Sequence, residues 1–438
     1  MAVAKTSRAK ATAKAAKTAK PKATTAKTAK PMPKATKAPA TKARQASKAA
    51  EPLSRTIARA RAQVAAVRGP REPVLEAAIR ANRADADAYA VYADWLQANG
   101  SGLGELMQLQ RALADRHDAA QARRADVLER DHRAAKPAVA TWRWGLWDSL
   151  RIDNESDKAF DVPARAAELF DHPACGALRE LRIGGLRFEH DHELIPDVLA
   201  LAGARAWSEA LESLVLGDAQ HAKLADISVG DAGAAVSLEL PNLRALRIRS
   251  GVQPWRDAIT FGLAGLALPE LESLAIETCS LAKSRLADVL DADLPSLTAL
   301  ELWFGSGEHE PEEGVGELSD LDALLAGQVF PNVVRLGLCN APFTDDLVAA
   351  LPSAPIAQRL IALDVSRGTL GDDAAAALAK AAKRFPRLAE LDVDLNYLTP
   401  GAVASLRRAF GPRVTVRGDD QHAIDPLAYG QRWVTAAD

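Results

Sequence analysis

Leucine-like side chains return along most of this chain in the pattern Leu-x-x-Leu-x-Leu, with polar residues between them. The alternation that ends each motif, apolar then polar then apolar, predicts a short half-buried strand. Nine copies begin at Trp147 (WDSLRI), Leu178 (LRELRI), Leu211 (LESLVL), Leu243 (LRALRI), Leu271 (LESLAI), Leu297 (LTALEL), Val333 (VVRLGL), Leu360 (LIALDV) and Leu388 (LAELDV), 26 to 36 residues apart. Between them, stretches such as TDDLVAAL and GDDAAAALAKAAKRF have helical spacing. Strand and helix in alternation predict an α/β solenoid, in which no unit buries its leucines alone and stacked neighbours make the core.

Two copies fill a longer signature, Leu-x-x-Leu-x-Leu-x-x-(Asn or Cys)-x-Leu: LESLAIETCSL at 271–281 and LAELDVDLNYL at 388–398. On these motifs the chain resembles leucine-rich-repeat proteins, and the repeat length is most similar to the ribonuclease-inhibitor type. The resemblance implies a horseshoe over residues 142–416, with parallel strands on the concave face and helices on the convex face, then a C-terminal cap or tail at 417–438. It also implies that Cys279 and Asn396 hydrogen-bond the turn backbone. Other copies have Gly, Ala or Leu186 at that position, so a less regular solenoid is expected.

Because strand side chains alternate, the residue between the second and third leucine-like positions points away from the core. That column reads Arg151, Arg182, Val215, Arg247, Ala275, Glu301, Gly337, Asp364, Asp392. The next outward column adds Arg249, Glu277, Trp303, Ser366 and Asp394. Charge runs from basic to acidic, with an exposed Trp303 where it changes sign. The candidate partner-binding residues are therefore Arg151, Arg182, Arg247, Arg249, Glu301, Trp303, Asp364, Asp392 and Asp394, for a charge-polarised protein partner, with a solvated face as the plain alternative.

Ahead of the repeats, residues 52–136 read as helical. SRTIARARAQVAAVR, from Ser54 to Arg68, has an N-cap and places Ile57, Val64 and Val67 on one face. Val74, Leu75, Ala78 and Ile79 form a second apolar face, Tyr89, Tyr92, Trp95 and Leu96 a third, and Gly100, Gly102 and Gly104 break the chain before another helix. Residues 72–112 resemble the bacterial repeat-companion domain, on Leu75 with Ala78 and Ile79, the string Tyr92-Ala93-Asp94-Trp95-Leu96, and Gly104-Glu105-Leu106 with Leu109 and Gln110. The resemblance implies architecture and no catalytic role. Asp94 is expected as a cap or as a hydrogen-bond partner of Trp95.

Residues 1–50 change the picture of charge. They carry Lys5, Lys10, Lys14, Lys17, Lys20, Lys22, Lys27, Lys30, Lys34, Lys37, Lys42 and Lys48, two Arg and no acid. That +14 leaves 41 basic and 57 acidic residues beyond it, so a net charge of −2 hides a basic tail on an acidic body. Nearly all Ala, Lys, Thr and Pro, the tail has too few apolar groups to offset the entropy of ordering, and disorder is expected. Its composition is similar to that of linker-histone tails. Spaced lysines can neutralise phosphates without reading sequence, so non-specific DNA or RNA binding stands beside a solubilising tether.

Candidate chemistry is sparse. Cys175, Cys279 and Cys339 lack Cys-x-x-Cys spacing, which argues against a disulfide framework or a zinc module and for a reducing, cytoplasmic setting. FEHDHE at 188–193, with His190 and His192, and GSGEHEPEEG at 305–314, with His309, fit charged loops better than metal sites. No phosphate loop, nucleophile elbow or paired acid and base stands at motif spacing, so neither an enzyme nor a cofactor is expected. No apolar run of membrane-spanning length occurs, so no membrane partner is expected. The pattern specifies no oligomeric state.

Overall fold

The structure, a computed structural model, describes residues 69–134, 138–152, 162–184, 194–218, 227, 229–251, 261–306, 316–423 and 432–435. The basic tail, the expected Ser54–Arg68 helix and the clusters around His190, His192 and His309 lie outside the described residues.

Eleven strands form one sheet in the order of the sequence: β1 (Val139–Arg143), β2 (Leu146–Ile152), β3 (Glu180–Ile183), β4 (Ser213–Leu216), β5 (Ala245–Arg249), β6 (Ser273–Glu277), β7 (Ala299–Trp303), β8 (Arg335–Cys339), β9 (Ala362–Asp364), β10 (Glu390–Asp392) and β11 (Thr415–Arg417). Strands β2 to β10 are the nine expected copies, each parallel to the next. Two strands lie outside them. β1 turns back antiparallel on β2 at one edge, and β11 adds a further parallel strand at the other.

The alternating leucines point inward as a pair from each strand. Leu150 with Ile152, Leu274 with Ile276 and Leu363 with Val365 are all buried, as is the leading apolar residue of every motif from Trp147 to Leu388. Strands of three to seven residues suffice because each neighbour continues the same core.

Between strands run the helices α5 (Val162–Phe170), α6 (Leu194–Gly203), α7 (Gly233–Glu239), α8 (Lys283–Leu290), α9 (Asp322–Leu325), α10 (Thr344–Ala350), α11 (Asp372–Lys380) and α12 (Pro400–Phe410), counted after the four N-terminal helices α1 to α4 described next. Successive helices pack side by side from α5 to α7 and again from α10 to α12. α12 shows why they form. Thr399 caps it by accepting the Ala402 N–H, Pro400 takes the first turn, Val403, Leu406 and Phe410 face the core, and Gly411 ends it at a φ of 70°. Asn396 bridges two repeats: its Nδ2 donates to the carbonyls of Val365 and Val393 at 3.0 Å, and its Oδ1 accepts the Leu370 N–H at 2.9 Å. Together strands and helices make an α/β solenoid.

Helices α1 (Pro73–Ala81), α2 (Ala86–Ala98), α3 (Gly102–Asp115) and α4 (Ala119–Asp131) precede the sheet. Tyr89, Tyr92, Leu96, Leu103, Leu106 and Met107 join the common core. Two expectations need correction. The face drawn through Val74, Leu75, Ala78 and Ile79 is not the buried one: Val74 and Ala78 are exposed, while Ile79 is buried together with Glu76. A carboxylate tolerates burial there because Arg71, Arg80 and the Tyr92 hydroxyl surround it. Nor do three glycines break the chain. Only Gly100 lies in the turn; Ser101 caps α3, Gly102 begins it, and Gly104 lets it approach α2, since a Cβ there would strike the Ala93 carbonyl.

The helical block is tied to the first repeats by arginines. Arg80 donates to the Gly176 carbonyl at 2.8 Å, and Arg83 to the carbonyls of Ala177, Leu178 and Ala210.

Candidate functional site

The first outward column is a ladder in the sheet. Arg151 pairs in register with Arg182, then in turn come Val215, Arg247, Ala275, Glu301, Gly337, Asp364 and Asp392, and Arg417 of β11 extends it. In the second column Arg249 pairs with Glu277, and Trp303 with Cys339. The whole first column, with Arg249, Glu277 and Trp303 of the second, thus lies on one face of the sheet, opposite the leucines, although Val215, Ala275, Gly337 and Glu277 are buried in it; Ser366, also buried, and Asp394 follow the ends of β9 and β10. Arg247 is 44% exposed and Arg417 62%.

The electrostatics differ from the gradient in the sequence. Arg151 and Arg182 both close on Asp218, with Nε to Oδ2 distances of 3.0 and 2.7 Å, and Arg182 also meets Glu180 at 3.2 Å. Burial opposes ionisation of Asp218, but the hydrogen bonds and charges of Arg182 and Arg151 outweigh it and hold the carboxyl below its ordinary range. Arg247 and Arg249 both bond Glu277, and Arg247 lies 3.8 Å from Glu301. The arginine end of the face is therefore largely neutralised within the chain.

The other end is not. Asp364 accepts the Ser366 N–H, Asp392 the Asp394 N–H, and Asp394 the Asp420 N–H, each through one oxygen at 2.9 to 3.0 Å. Asp392 also meets Arg417 at 3.3 Å. No cation pairs with Asp364, Asp394 or Asp420 among the described residues. Burial pushes the Asp392 carboxyl up, and the charges of Asp364 and Asp394 add to it against the Asp394 N–H and Arg417.

Trp303 corrects the exposed anchor expected at that position. It is half-buried, donates its Nε1–H to Glu301 at 2.8 Å, and lies under the Arg367 guanidinium, 4.8 Å from the ring centroid. Arg367 occupies a left-handed position, φ 66°, matched by Asn340 and Leu395 in the flanking repeats. Their N–H groups reach the carbonyls of Asp394, Ser366 and Asp420, each just past the neighbouring strand, which holds the uncommon conformation in place.

Other candidates have structural partners. Asp94 accepts from Gln108 at 2.7 Å rather than serving Trp95. All three cysteines are buried, and burial pushes the Cys175 and Cys339 thiols up, away from nucleophilic use. Among the described residues no three metal-ligating side chains converge, and no helix is long and apolar enough to cross a membrane.

No protein-family model matches this sequence, and no curated protein is similar to it. Solved structures do match. A Bacteroides fragilis protein aligns over 59% of this chain and 69% of its own, at 22% identity and a TM-score of 0.49. An internalin from Listeria monocytogenes aligns over 64% of this chain and 84% of its own, at 13% identity and a TM-score of 0.27.

Asp218, Arg335, Arg367, Glu390 and Arg417 belong to the face but escaped the motif. The first lies two residues past a strand whose column residue is Val215, and Arg417 follows VTV, a strand without leucine. Valine at every second position from Val414 was the signal for it.

Proposed function

We propose that this chain is a non-catalytic scaffold that binds a polypeptide through the open face of its sheet, the concave face of a leucine-rich-repeat horseshoe of ribonuclease-inhibitor type. The observation that carries this reading is the in-register ladder crossing ten parallel strands, in which seven positions are charged and only Val215, Ala275 and Gly337 are not, where a core face would be apolar throughout. Helices α1 to α4, of which residues 72–112 resemble the repeat-companion domain, serve as an N-terminal cap. Photo-crosslinkers placed at Arg247 and Arg417 on the open face, and at Asp373 on α11, test the reading. A discrete partner captured from the first two positions and lost on Ala275→Arg is expected. Equal capture from Asp373 would refute it.

A second reading rests on the fourteen positive charges of residues 1–50, which favour weak, salt-sensitive DNA or RNA binding. Deleting those residues should abolish it; retained duplex binding by the shortened chain would count against the tail.

A further inference from the structure

A trough crosses β6 to β11 on the open face. Its deeper part, about 300 Å³, is floored by the small residues Ala275, Ala299, Gly337 and Ala362. It continues into a wider recess of about 510 Å³ beside Trp303 and Arg367. Gly337 stands in register between Glu301 and Asp364, so two carboxylates flank a strand position with no side chain. Neighbouring strands are about 4.8 Å apart, which separates the two backbones by roughly 10 Å. Glu301 leans into that interval: its Cγ would lie 2.9 Å from a Cβ at Gly337, which is itself buried, so a side chain entering there displaces the flexible end of Glu301, and Gly337→Ala would crowd it further.

Charge selects the occupant. Seven carboxylates and four guanidinium groups line the trough and recess together. Of the arginines, Arg417 is 62% exposed and Arg335 49%, so their pairs with Asp392 and Glu390 are solvent-screened and exchangeable. Asp394 keeps an oxygen that no described donor uses, and Asp364, beside the Cys339 thiol, has no cationic partner among the described residues. Guanidinium and ammonium groups supply the missing donors, and an extended backbone fits a trough running from strand to strand. Nucleic acid would meet net negative charge, and an apolar helix would find a floor of small residues with a charged rim.

We propose that this trough takes an extended segment of a partner polypeptide bearing lysine or arginine, one basic side chain entering between Glu301 and Asp364 as the Glu301 side chain swings off Gly337. The inference rests on the open-face reading above and narrows the partner's chemistry. It locates binding in the second half of the face, because the arginines of the first half are already paired with Asp218 and Glu277.

The test uses the full chain and a fluorescein-labelled octapeptide of alternating arginine and serine, with a glutamine–serine octapeptide as the neutral control, followed by fluorescence anisotropy. Asp364→Asn combined with Asp394→Asn keeps the oxygens that accept the Ser366 and Asp420 N–H groups while removing both charges. That variant should bind the basic peptide about tenfold more weakly, Gly337→Ala should weaken it as well, and Asp373→Asn should not. Absence of binding to the basic peptide, equal binding by the Asp364→Asn and Asp394→Asn variant, or equal affinity for the neutral peptide would overturn the inference. Crosslinks from Arg247 and Arg417 to a partner would in that event still uphold the open-face reading; loss of both results would remove the two together.

Discussion

Acid should loosen the seam between the helical block and the first repeat, and His172 is the group that senses it. Its ring lies flat on Trp147, with centroids 4.6 Å apart, and edge-on to His132 at 5.7 Å. Nδ1 accepts the Ala174 N–H at 3.1 Å, so that nitrogen must stay unprotonated while the contact lasts. Burial first, then the neighbouring His132 and Arg71, lower its pKa from 6.5 to about 4. An unfolded chain takes up this proton near 6.5, whereas the folded chain refuses it until about 4. Stability from this group is therefore intact above the window and is lost as pH falls through it, by about 3 kcal/mol in full and about 2 kcal/mol by pH 5. His172→Asn keeps a side-chain acceptor for Ala174 and does not titrate. The variant should be the less stable at pH 7, through lost ring contacts, yet should lose about 2 kcal/mol less than the parent between pH 7 and pH 5. Urea unfolding at both pH values measures the difference, and proton NMR of the imidazole Cε1–H, assigned by its disappearance in the variant, measures the titration directly. Parallel pH profiles, or a midpoint above 6, would refute the reasoning.

Leu363→Asp would place an unpaired carboxylate between β8 and β10 at a position 1% exposed, and should cost more than about 4 kcal/mol and abolish the cooperative melt followed by circular dichroism. Arg83→Ala leaves three carbonyls without their donor at the block-to-repeat seam; a loss of about 2 to 4 kcal/mol should appear as faster amide exchange in α1 to α4, and unchanged exchange there would show that the arginine does not hold the seam. Asp392→Asn should raise the melting temperature at neutral pH: burial, with Asp364 and Asp394, raises the folded carboxyl's pKa, so its ionisation costs stability above that point. The advantage should vanish as pH falls and the parent's Asp392 takes up its proton; a lower melting temperature for the variant at pH 7 would mean that the Arg417 pair outweighs the burial.

The repeats were legible because their signal is redundant. A single LESLAI is a weak pattern, but nine at similar spacing oblige one register, and the structure places Leu274 and Leu363 in the core as that register requires. What the sequence concealed were strands that need no leucine. β11 is built on Val414 and Val416, and β1, partly exposed along its length, is held by pairing with β2 and by Ala140 and Trp142 against the core. Helix α1 misled for another reason: Glu76 is buried through a network whose partners Arg71, Arg80 and Tyr92 are named only by the folded arrangement.

On the open face, one dimension was legible and the other was not. Period-two alternation fixes which side chains emerge from each strand, so the column from Arg151 to Asp392 could be written down without coordinates. Its charge could not be summed in the same way, because a side chain on a solenoid meets residues one repeat away, about 30 positions along the chain. Arg151 is neutralised by Asp218, 67 residues on, and Arg247 by Glu277, 30 residues on. Asp218 lies beyond its strand, where a motif centred on leucine gives it no weight, and Glu277, though in the second outward column, carries no sign in the sequence of which arginines it meets. The apparent gradient from basic to acidic thus becomes a half whose charges are paired and a half in which, among the described residues, Asp364 and Asp394 have no cation beside them. Since steering depends on charge left over after internal pairing, the half that looks less charged by a count of arginines, around Glu301, Gly337 and Asp364, is the one left with unsatisfied groups to offer a partner.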